Sequence, residues 1–256
     1  MKRVLTAAIA LPVVVAVTAW GPDWLFTLAA AIVGAIALDE FLNISAPNPT
    51  DRTGRWFLLL GAATTAAVSQ GADWAVAAIA ISFLATMIAT LAAPVSAARP
   101  RVMGATTGLI YTSVLAGFLI LLPREAVLVL FGIVWSGDIG AYYGGRSLGR
   151  RRLAPGISPN KTVEGAAVGT VASLIVGVFL ARLLMSEADV GHFLAFGLIA
   201  LITAIAGQLG DLAESAIKRS AGVKDSSSLL PGHGGMLDRI DSLLFAGPVF
   251  YFLLLL

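Results

Sequence analysis

The sequence has no cysteine and only two histidines, His192 and His233, among its 256 residues. The absence of cysteine excludes disulfide bonds, a thiolate nucleophile and a cysteine-ligated zinc site. Two histidines are too few for a multi-histidine metal site, so any bound metal must be held mainly by oxygen. Oxygen ligands favour Mg²⁺ or a similar hard cation, which makes the carboxylates the residues to follow.

Charged residues are also scarce, because they make up 12% of the chain against about 25% in soluble domains. A membrane-spanning helix needs about 20 mostly apolar residues, and the apolar runs predict an all-α, multi-pass membrane protein with about nine transmembrane helices. We expect the whole chain, 1–256, to form a single membrane domain. The predicted spans are roughly 4–20, 24–43, 56–71, 74–93, 102–122, 126–145, 162–184, 192–218 and 239–256.

The basic residues between these spans lie almost entirely on one side of the membrane. Of 17 lysines and arginines, all but Arg124 and Arg182 fall on that side. The positive-inside rule makes it the cytoplasmic side, which predicts a cytoplasmic N-terminus. The two longest cytoplasmic loops, about 146–161 and 219–237, are rich in glycine, serine, proline and basic residues. We therefore expect the functional site there.

Acidic residues inside predicted spans are functional candidates, because a charge at a helix centre costs roughly 2.5–3.5 kcal/mol even on insertion scales. They occur in four places toward the predicted cytoplasmic side: Asp39 with Glu40, Asp138, Asp211 with Glu214, and Asp241 with Asp238, which directly precedes the ninth span. An ion or lipid transporter would place acids through the full depth of the membrane. The one-sided clustering favours a site at the cytoplasmic boundary over a permeation path.

Two of these acidic groups form helical faces on either side of a basic, glycine-rich loop. The first face is Asp211, Glu214, Ser215 and Lys218, and the second is Asp238 and Asp241. An interhelical salt bridge with a lysine at the membrane edge would also explain the first face. Carboxylates that hold Mg²⁺, with basic residues and backbone amides that offset phosphate charge, are what phosphoryl chemistry requires. The pattern indicates such chemistry, with Asp211 and Asp238 converging on one cation.

The loop between the two faces carries further candidate groups for phosphate. The glycines of Gly232–Gly235 precede a helix N-terminus, which favours anions, although a tight turn would also explain them. His233 could donate to a phosphate or fix the loop by a hydrogen bond, and both explanations stay open. His192, at the external end of the eighth span, is expected to have no such role.

The other cytoplasmic loop leads into the seventh predicted span. Its sequence from Ser158 onward is typical of a helix start, with Thr162 near the N-cap and Glu164 in the first turn. Lys161 would lie beside that start and could hold a phosphate. The basic run Arg150–Arg152 is better explained by contact with anionic lipid headgroups.

The segment Ser215–Asp241 resembles the signature of the phosphatidate cytidylyltransferase (CDP-diacylglycerol synthase) family over all 27 of its residues. Other stretches similar to that family are Asp138–Arg146, Ser158–Gly165, Gly207–Ser215 and the acidic Asp39-Glu40-Phe41 at the end of the second span. The first 130 residues match mainly in hydropathy. Val163 departs from the family, which often has an aromatic residue there, and we expect a packing difference without loss of activity.

The resemblance implies that CTP and phosphatidic acid react, with Mg²⁺, to give CDP-diacylglycerol and pyrophosphate at the cytoplasmic face of the cell membrane. It also implies a helical homodimer surrounded by membrane lipid, and no nucleic acid partner is expected. Asp211 and Asp238 are the implied metal ligands, and a second cation is left open. We assign as catalytic Asp211, Asp238, Asp241 and Lys218, and as substrate-binding Asp138, Ser158, Lys161, Glu214, Arg219, Lys224, His233 and Arg239.

Within the enzyme class the nearest alternatives are a related CTP-dependent enzyme that acts on an archaeal ether lipid and one that phosphorylates a polyprenol. The polyprenol enzyme would transfer the γ-phosphate of CTP, whereas a cytidylyltransferase transfers CMP. The group found on the lipid product, phosphate or CMP, would therefore distinguish these two reactions.

Overall fold

The computed structural model describes residues 2–46, 54–185, 190–230, 232 and 234–256. The helices are α1 (Lys2–Trp20), α2 (Asp23–Ser45), α3 (Trp56–Val68), α4 (Ala72–Thr90), α5 (Val95–Gly108), α6 (Leu115–Leu121), α7 (Arg124–Leu148), α8 (Val163–Leu184), α9 (Val190–Ser220) and α10 (Leu237–Leu254). A π-helical turn, Leu109–Val114, joins α5 to α6. Between α7 and α8, the strands β1 (Arg152–Ala154) and β2 (Ser158–Thr162) pair in antiparallel fashion.

The expected all-α architecture is confirmed, and each of the nine predicted spans coincides with a helix when α5, the π-helical turn and α6 are taken together. Six helices among the described residues are long and apolar enough to cross a membrane: Asp23–Ser45, Ala72–Thr90, Val95–Leu121, Arg124–Leu148, Val163–Leu184 and Leu194–Ser220. The apolar helices Ala10–Trp20 and Trp56–Val68 are shorter. The chain thus has the character of a multi-pass membrane protein, while nine spans and a cytoplasmic N-terminus stay predictions.

The chain divides into two compact units, and the boundary runs through α9 and α10. The first unit is Met1–Leu121 with Ile217–Ile240, and the second is Leu122–Ala216 with Asp241–Leu256. The single domain expected for 1–256 stays a prediction.

Inside the first unit, small polar side chains lie beside a core of large apolar residues that includes Leu38, Phe57 and Leu109. Thr65 donates to the carbonyl oxygen of Ser113 in the π-helical turn at 2.9 Å, and the hydroxyls of Thr64 and Ser82 lie 3.3 Å apart. All four residues are buried. On the outside of α4, in contrast, Ile88 is exposed. Interhelical hydrogen bonds between small residues thus help to hold these helices together.

The second unit is organised by very close packing between α7 and α8. A Cβ atom added at Gly140 would lie 2.8 Å from the Cβ of Ala172, and one at Gly169 would lie 2.6 Å from the carbonyl oxygen of Gly137. Glycine is needed at both positions because a side chain would force the two helices apart. In the same unit, Gln208 of α9 donates to the carbonyl oxygen of Ala166 in α8 at 3.1 Å.

The β1–β2 hairpin leads directly into α8. Thr162 accepts a hydrogen bond from the backbone N–H of Gly165 at 3.1 Å, so it is the N-cap of α8 as predicted. Glu164, in the first turn, accepts from the backbone N–H groups of Arg150 and Arg151 at 2.9 and 3.1 Å. The helix start is confirmed, but the preceding residues form a strand that the sequence did not predict.

Candidate active site

Asp238, in the first turn of α10, accepts a dense set of hydrogen bonds within the first unit. The donors are Lys218 Nζ at 2.5 Å, the Ser226 backbone N–H at 3.0 Å and the Gly235 N–H at 2.7 Å. The Ser226 hydroxyl, whose single proton is shared with Glu40, lies 3.0 Å from Asp238 Oδ2. Burial alone would raise the pKa of Asp238, but the hydrogen bonds from Lys218, Gly235 and Ser226 outweigh it and hold that pKa below its ordinary value. Asp238 is therefore an ionised carboxylate at neutral pH.

The loop before α10 approaches these carboxylates closely because it is rich in glycine. Gly234 has a φ of 78°, in the left-handed region that favours glycine. A Cβ atom there would lie 2.5 Å from Asp238 Oδ2, and one at Gly235 would overlap Ser226 Oγ and Glu40 Oε2. The sequence predicted that these glycines bring backbone amides to an anion, and here the anion that Gly235 meets is the Asp238 carboxylate.

Glu40 of α2 is a second buried carboxylate in the first unit, and it is only 4% exposed. It accepts hydrogen bonds from the hydroxyls of Ser226 and Ser227 at 2.9 and 2.6 Å. It also accepts from the backbone N–H groups of Met236 and Leu237 at 2.9 and 2.7 Å. The sequence marked Glu40 as an acid inside an apolar helix, but it did not assign Glu40 to the site.

The second unit contains another group of acidic residues, close to where α9 packs against α10. A Cβ atom at Gly210 of α9 would lie 2.8 Å from the Asp241 carbonyl oxygen of α10, so these helices are closely packed beside Asp211. Asp241 is buried, and the negative charges of Asp211, Glu214 and Asp138 act on it. The structure therefore brings together four of the predicted acids within this unit.

Lys161 of β2 forms an ion pair with Asp211 of α9, and the two side chains are about one-third exposed. The Ser215 hydroxyl lies 3.4 Å from Asp211 Oδ1, which fits the predicted sharing of one helical face. The hairpin thus places a lysine directly beside the predicted metal ligand. In this arrangement Lys161 meets a carboxylate, and its binding to a phosphate stays a prediction.

The remaining predicted residues lie on the surface or outside the described part of the chain. Lys224 and Arg239 are exposed, and Arg219 is exposed with its guanidinium donating to the carbonyl oxygen of Val223 at 3.1 Å. Ser158 lies in β2 and is half-buried. His233 and the side chain of His192 lie outside the described residues.

The carboxylates match Mg²⁺ in donor type, because this ion prefers oxygen ligands. Among the described residues, no group of three or more His, Asp or Glu side chains is arranged to hold a metal ion. Mg²⁺ in phosphoryl-transfer sites is usually held by one or two carboxylates together with water and substrate phosphates, so a larger cluster is not required. Asp211 lies in the second unit and Asp238 in the first, and their joint binding of one cation stays a prediction.

Comparison with known proteins gives a match to the cytidylyltransferase family over residues 1–256. The phosphatidate cytidylyltransferase of Bacillus subtilis (strain 168) is 52% identical over 124 residues, 48% of this chain and 45% of the relative. That of Brucella suis biovar 1 (strain 1330) is 47% identical over 125 residues, 49% of this chain and 45% of the relative. That of Staphylococcus haemolyticus (strain JCSC1435) is 47% identical over 129 residues, 50% of this chain and 48% of the relative.

The matched stretch spans about half the length of each of these relatives. The family match, in contrast, extends over the whole chain and includes both groups of carboxylates. This protein therefore belongs to the cytidylyltransferase family.

Proposed function

We propose that this protein is a phosphatidate cytidylyltransferase, which converts CTP and phosphatidic acid into CDP-diacylglycerol and pyrophosphate. The observation that carries the proposal is the set of contacts around Asp238. There an ionised carboxylate, a buried lysine and the backbone amides of Gly235 and Ser226 meet within the segment that resembles the family signature. Family membership and relatives named phosphatidate cytidylyltransferase support the same reaction.

In the proposed reaction, a phosphate oxygen of phosphatidic acid attacks the α-phosphorus of CTP in line. A new P–O bond forms to the α-phosphorus, the bond from that atom to the bridging oxygen breaks, and pyrophosphate leaves with the electron pair. A phosphate monoester is already an anionic nucleophile, so no nucleophilic side chain of the protein is required. The protein's task is to position two anionic substrates and to offset their charge.

The side chains divide this task according to their charge. Lys161, Lys218, Arg219, Lys224 and Arg239 would offset the phosphate charge, and His233 would donate to a phosphate. Asp211 and Asp238 would hold Mg²⁺, with a second cation left open. Bound Mg²⁺ supplies further neutralisation of the CTP phosphates. Asp241 would belong to the catalytic group with Asp211, Asp238 and Lys218, and Asp138, Ser158 and Glu214 would contribute to substrate binding.

The proposed setting is the cell membrane, with nine spans, a cytoplasmic N-terminus and the site at the cytoplasmic boundary. The one-sided distribution of lysine and arginine supports this orientation. Six membrane-length helices among the described residues support a lipid setting. This arrangement gives the site access to CTP from the cytoplasm and to phosphatidic acid from the bilayer. A homodimer of single-domain chains completes the proposal.

The test uses purified protein in mixed micelles with phosphatidic acid and Mg²⁺. Label from [α-³²P]CTP is expected in the lipid and label from [γ-³²P]CTP in pyrophosphate. Transfer of the γ-label to a polyprenol would contradict the proposal, as would transfer of CMP to an archaeal ether lipid but not to phosphatidic acid. A nucleotidylated enzyme trapped by rapid quenching would contradict direct transfer. Full activity of both Asp211→Asn and Asp238→Asn would contradict the metal assignment.

A further inference from the structure

Glu40 is an acidic residue of the apolar helix α2, yet it is only 4% exposed. Its four hydrogen-bond donors come from residues 186 to 197 positions later in the chain. We propose that Glu40 is a positioning residue that fastens the middle of the site loop, the described residues within 221–236, to the start of α10, and thereby holds the donors that surround Asp238. This inference deepens the proposed function and rests on it for its catalytic consequence.

Each oxygen of Glu40 joins the middle of the site loop to the start of α10. Oε1 accepts from the Ser227 hydroxyl and from the Met236 N–H, while Oε2 accepts from the Ser226 hydroxyl and from the Leu237 N–H. Leu237 is the first residue of α10, where the N–H groups have no partner within their own helix. A carboxylate from α2 therefore caps α10. A negative group at this position also interacts favourably with the positive end of the helix dipole.

The connection from Glu40 to Asp238 passes through Ser226. The Ser226 hydroxyl lies 2.9 Å from Glu40 Oε2 and 3.0 Å from Asp238 Oδ2, and the Ser226 N–H donates to Asp238. Gly235 lies so close that an added Cβ would overlap both Ser226 Oγ and Glu40 Oε2. Movement of the loop away from Glu40 would therefore displace the Ser226 and Gly235 donors of Asp238.

The arrangement requires a carboxylate, since an amide of the same shape cannot replace it. A backbone N–H can only donate, and one such donor faces each oxygen of Glu40. In Glu40→Gln, either orientation of the amide turns its NH₂ group toward the N–H of Met236 or of Leu237. One backbone hydrogen bond is then lost and two donors face each other, although the side-chain volume hardly changes.

The chain offers a matched control at the neighbouring position. Asp39 is also an acid of α2, but it is half-buried and accepts a hydrogen bond from Asn43, on its own helix, at 3.2 Å. Asp39→Asn removes the same charge from the same helix while leaving the four described contacts of Glu40 in place. Ser227→Ala is a milder variant, because it removes one donor from Oε1 and keeps the buried charge.

The experiment combines amide hydrogen exchange with steady-state kinetics on the full-length protein in detergent micelles. Hydrogen bonds to charged groups contribute about 1.5–3 kcal/mol. Glu40→Gln is therefore expected to accelerate exchange at Met236 and Leu237 by about tenfold or more. It should lower kcat for CMP transfer by about tenfold or more through misplacement of the Asp238 donors. Glu40→Asp, which keeps the carboxylate, should recover part of the exchange protection and part of kcat. Ser227→Ala should give smaller changes in both quantities, and Asp39→Asn should behave as wild type.

Three results would overturn the inference. The first is wild-type exchange at Met236 and Leu237 in Glu40→Gln. The second is faster exchange with unchanged kcat and KM, because Glu40 would then be structural only. The third is an equal loss in Asp39→Asn. Should Glu40→Gln fail to fold, Ser227→Ala must still show the smaller exchange and kcat changes, or the inference fails. A wild-type protein that transfers no CMP contradicts the proposed function itself, and exchange in the variants then decides the anchoring by Glu40 separately.

Discussion

Replacement of Lys218 by methionine removes the positive charge beside Asp238 and nearly preserves the length of the side chain. Lys218 Nζ lies 2.5 Å from Asp238 Oδ1, and the two side chains are 10% and 5% exposed. Removal of one partner from a buried ion pair typically costs about 3–5 kcal/mol, because the other charge is left poorly solvated. Ser226 and Gly235 continue to donate to Asp238, so we expect the lower end of that range, about 3 kcal/mol.

The assay is thermal unfolding of the purified protein in detergent. At about 2–4 °C per kcal/mol for a chain of this size, Lys218→Met is expected to lower the midpoint by roughly 6–12 °C. Addition of Asp238→Asn to Lys218→Met should restore part of this loss, because no uncompensated charge remains. Lys224→Met is the control for stability, since Lys224 is exposed and surface changes usually stay within about 0.5 kcal/mol.

Two outcomes would refute this reasoning. The first is a midpoint for Lys218→Met that equals that of the wild type, which would mean that Asp238 does not depend on the lysine for its charge. The second is a strictly additive loss in the double variant, because residues in direct contact should show a coupling energy of about 0.5–3 kcal/mol.

Three further predictions concern the loops and the orientation. Gly235→Ala should abolish CMP transfer because its Cβ overlaps neighbouring oxygens, whereas Gly156→Ala, at an open position, should not; equal activities would contradict this. The Glu164 carboxylate accepts hydrogen bonds from two backbone N–H groups, those of Arg150 and Arg151. Glu164→Gln should weaken these bonds and increase trypsin cleavage at Arg150–Arg152, and unchanged cleavage would count against that role. Because the chain lacks cysteine, a single introduced cysteine reports its own side of the membrane. Gly156→Cys should react with an impermeant thiol reagent only from the cytoplasmic side, and Gln70→Cys only from the outside. The reverse pattern would overturn the proposed orientation.

The sequence predicted the helices well because each depends on local information. Apolar runs of membrane length coincide with helices in the structure. The N-cap at Thr162 was likewise readable from neighbouring residues. The β1–β2 hairpin was missed because its strands have only three and five residues. Ser158–Thr162 contains a proline and a lysine, and it lacks the alternation of apolar and polar residues that indicates a strand.

The candidate site was predictable in its composition but not in its connections. Asp211, Glu214 and Ser215 were placed on one helical face by spacing alone, and the contact between Asp211 and Ser215 agrees. Spacing could not predict the pairing of Lys161 with Asp211, because they belong to separate elements. The role of Glu40 was equally hidden, since its donors lie at the other end of the chain.

The distance along the chain between Glu40 and its donors has a consequence for biosynthesis. Ser226 is added 186 residues after Glu40, which takes roughly 10–40 s at about 5–20 residues per second. During that interval α2 carries an acid whose native donors do not yet exist. A charge at the centre of the bilayer costs roughly 2.5–3.5 kcal/mol, and the native hydrogen bonds of this side chain cannot offset that cost before residues 226–237 are made. The hydrogen bonds of Glu40 therefore form late in biosynthesis, after most of this chain has been made.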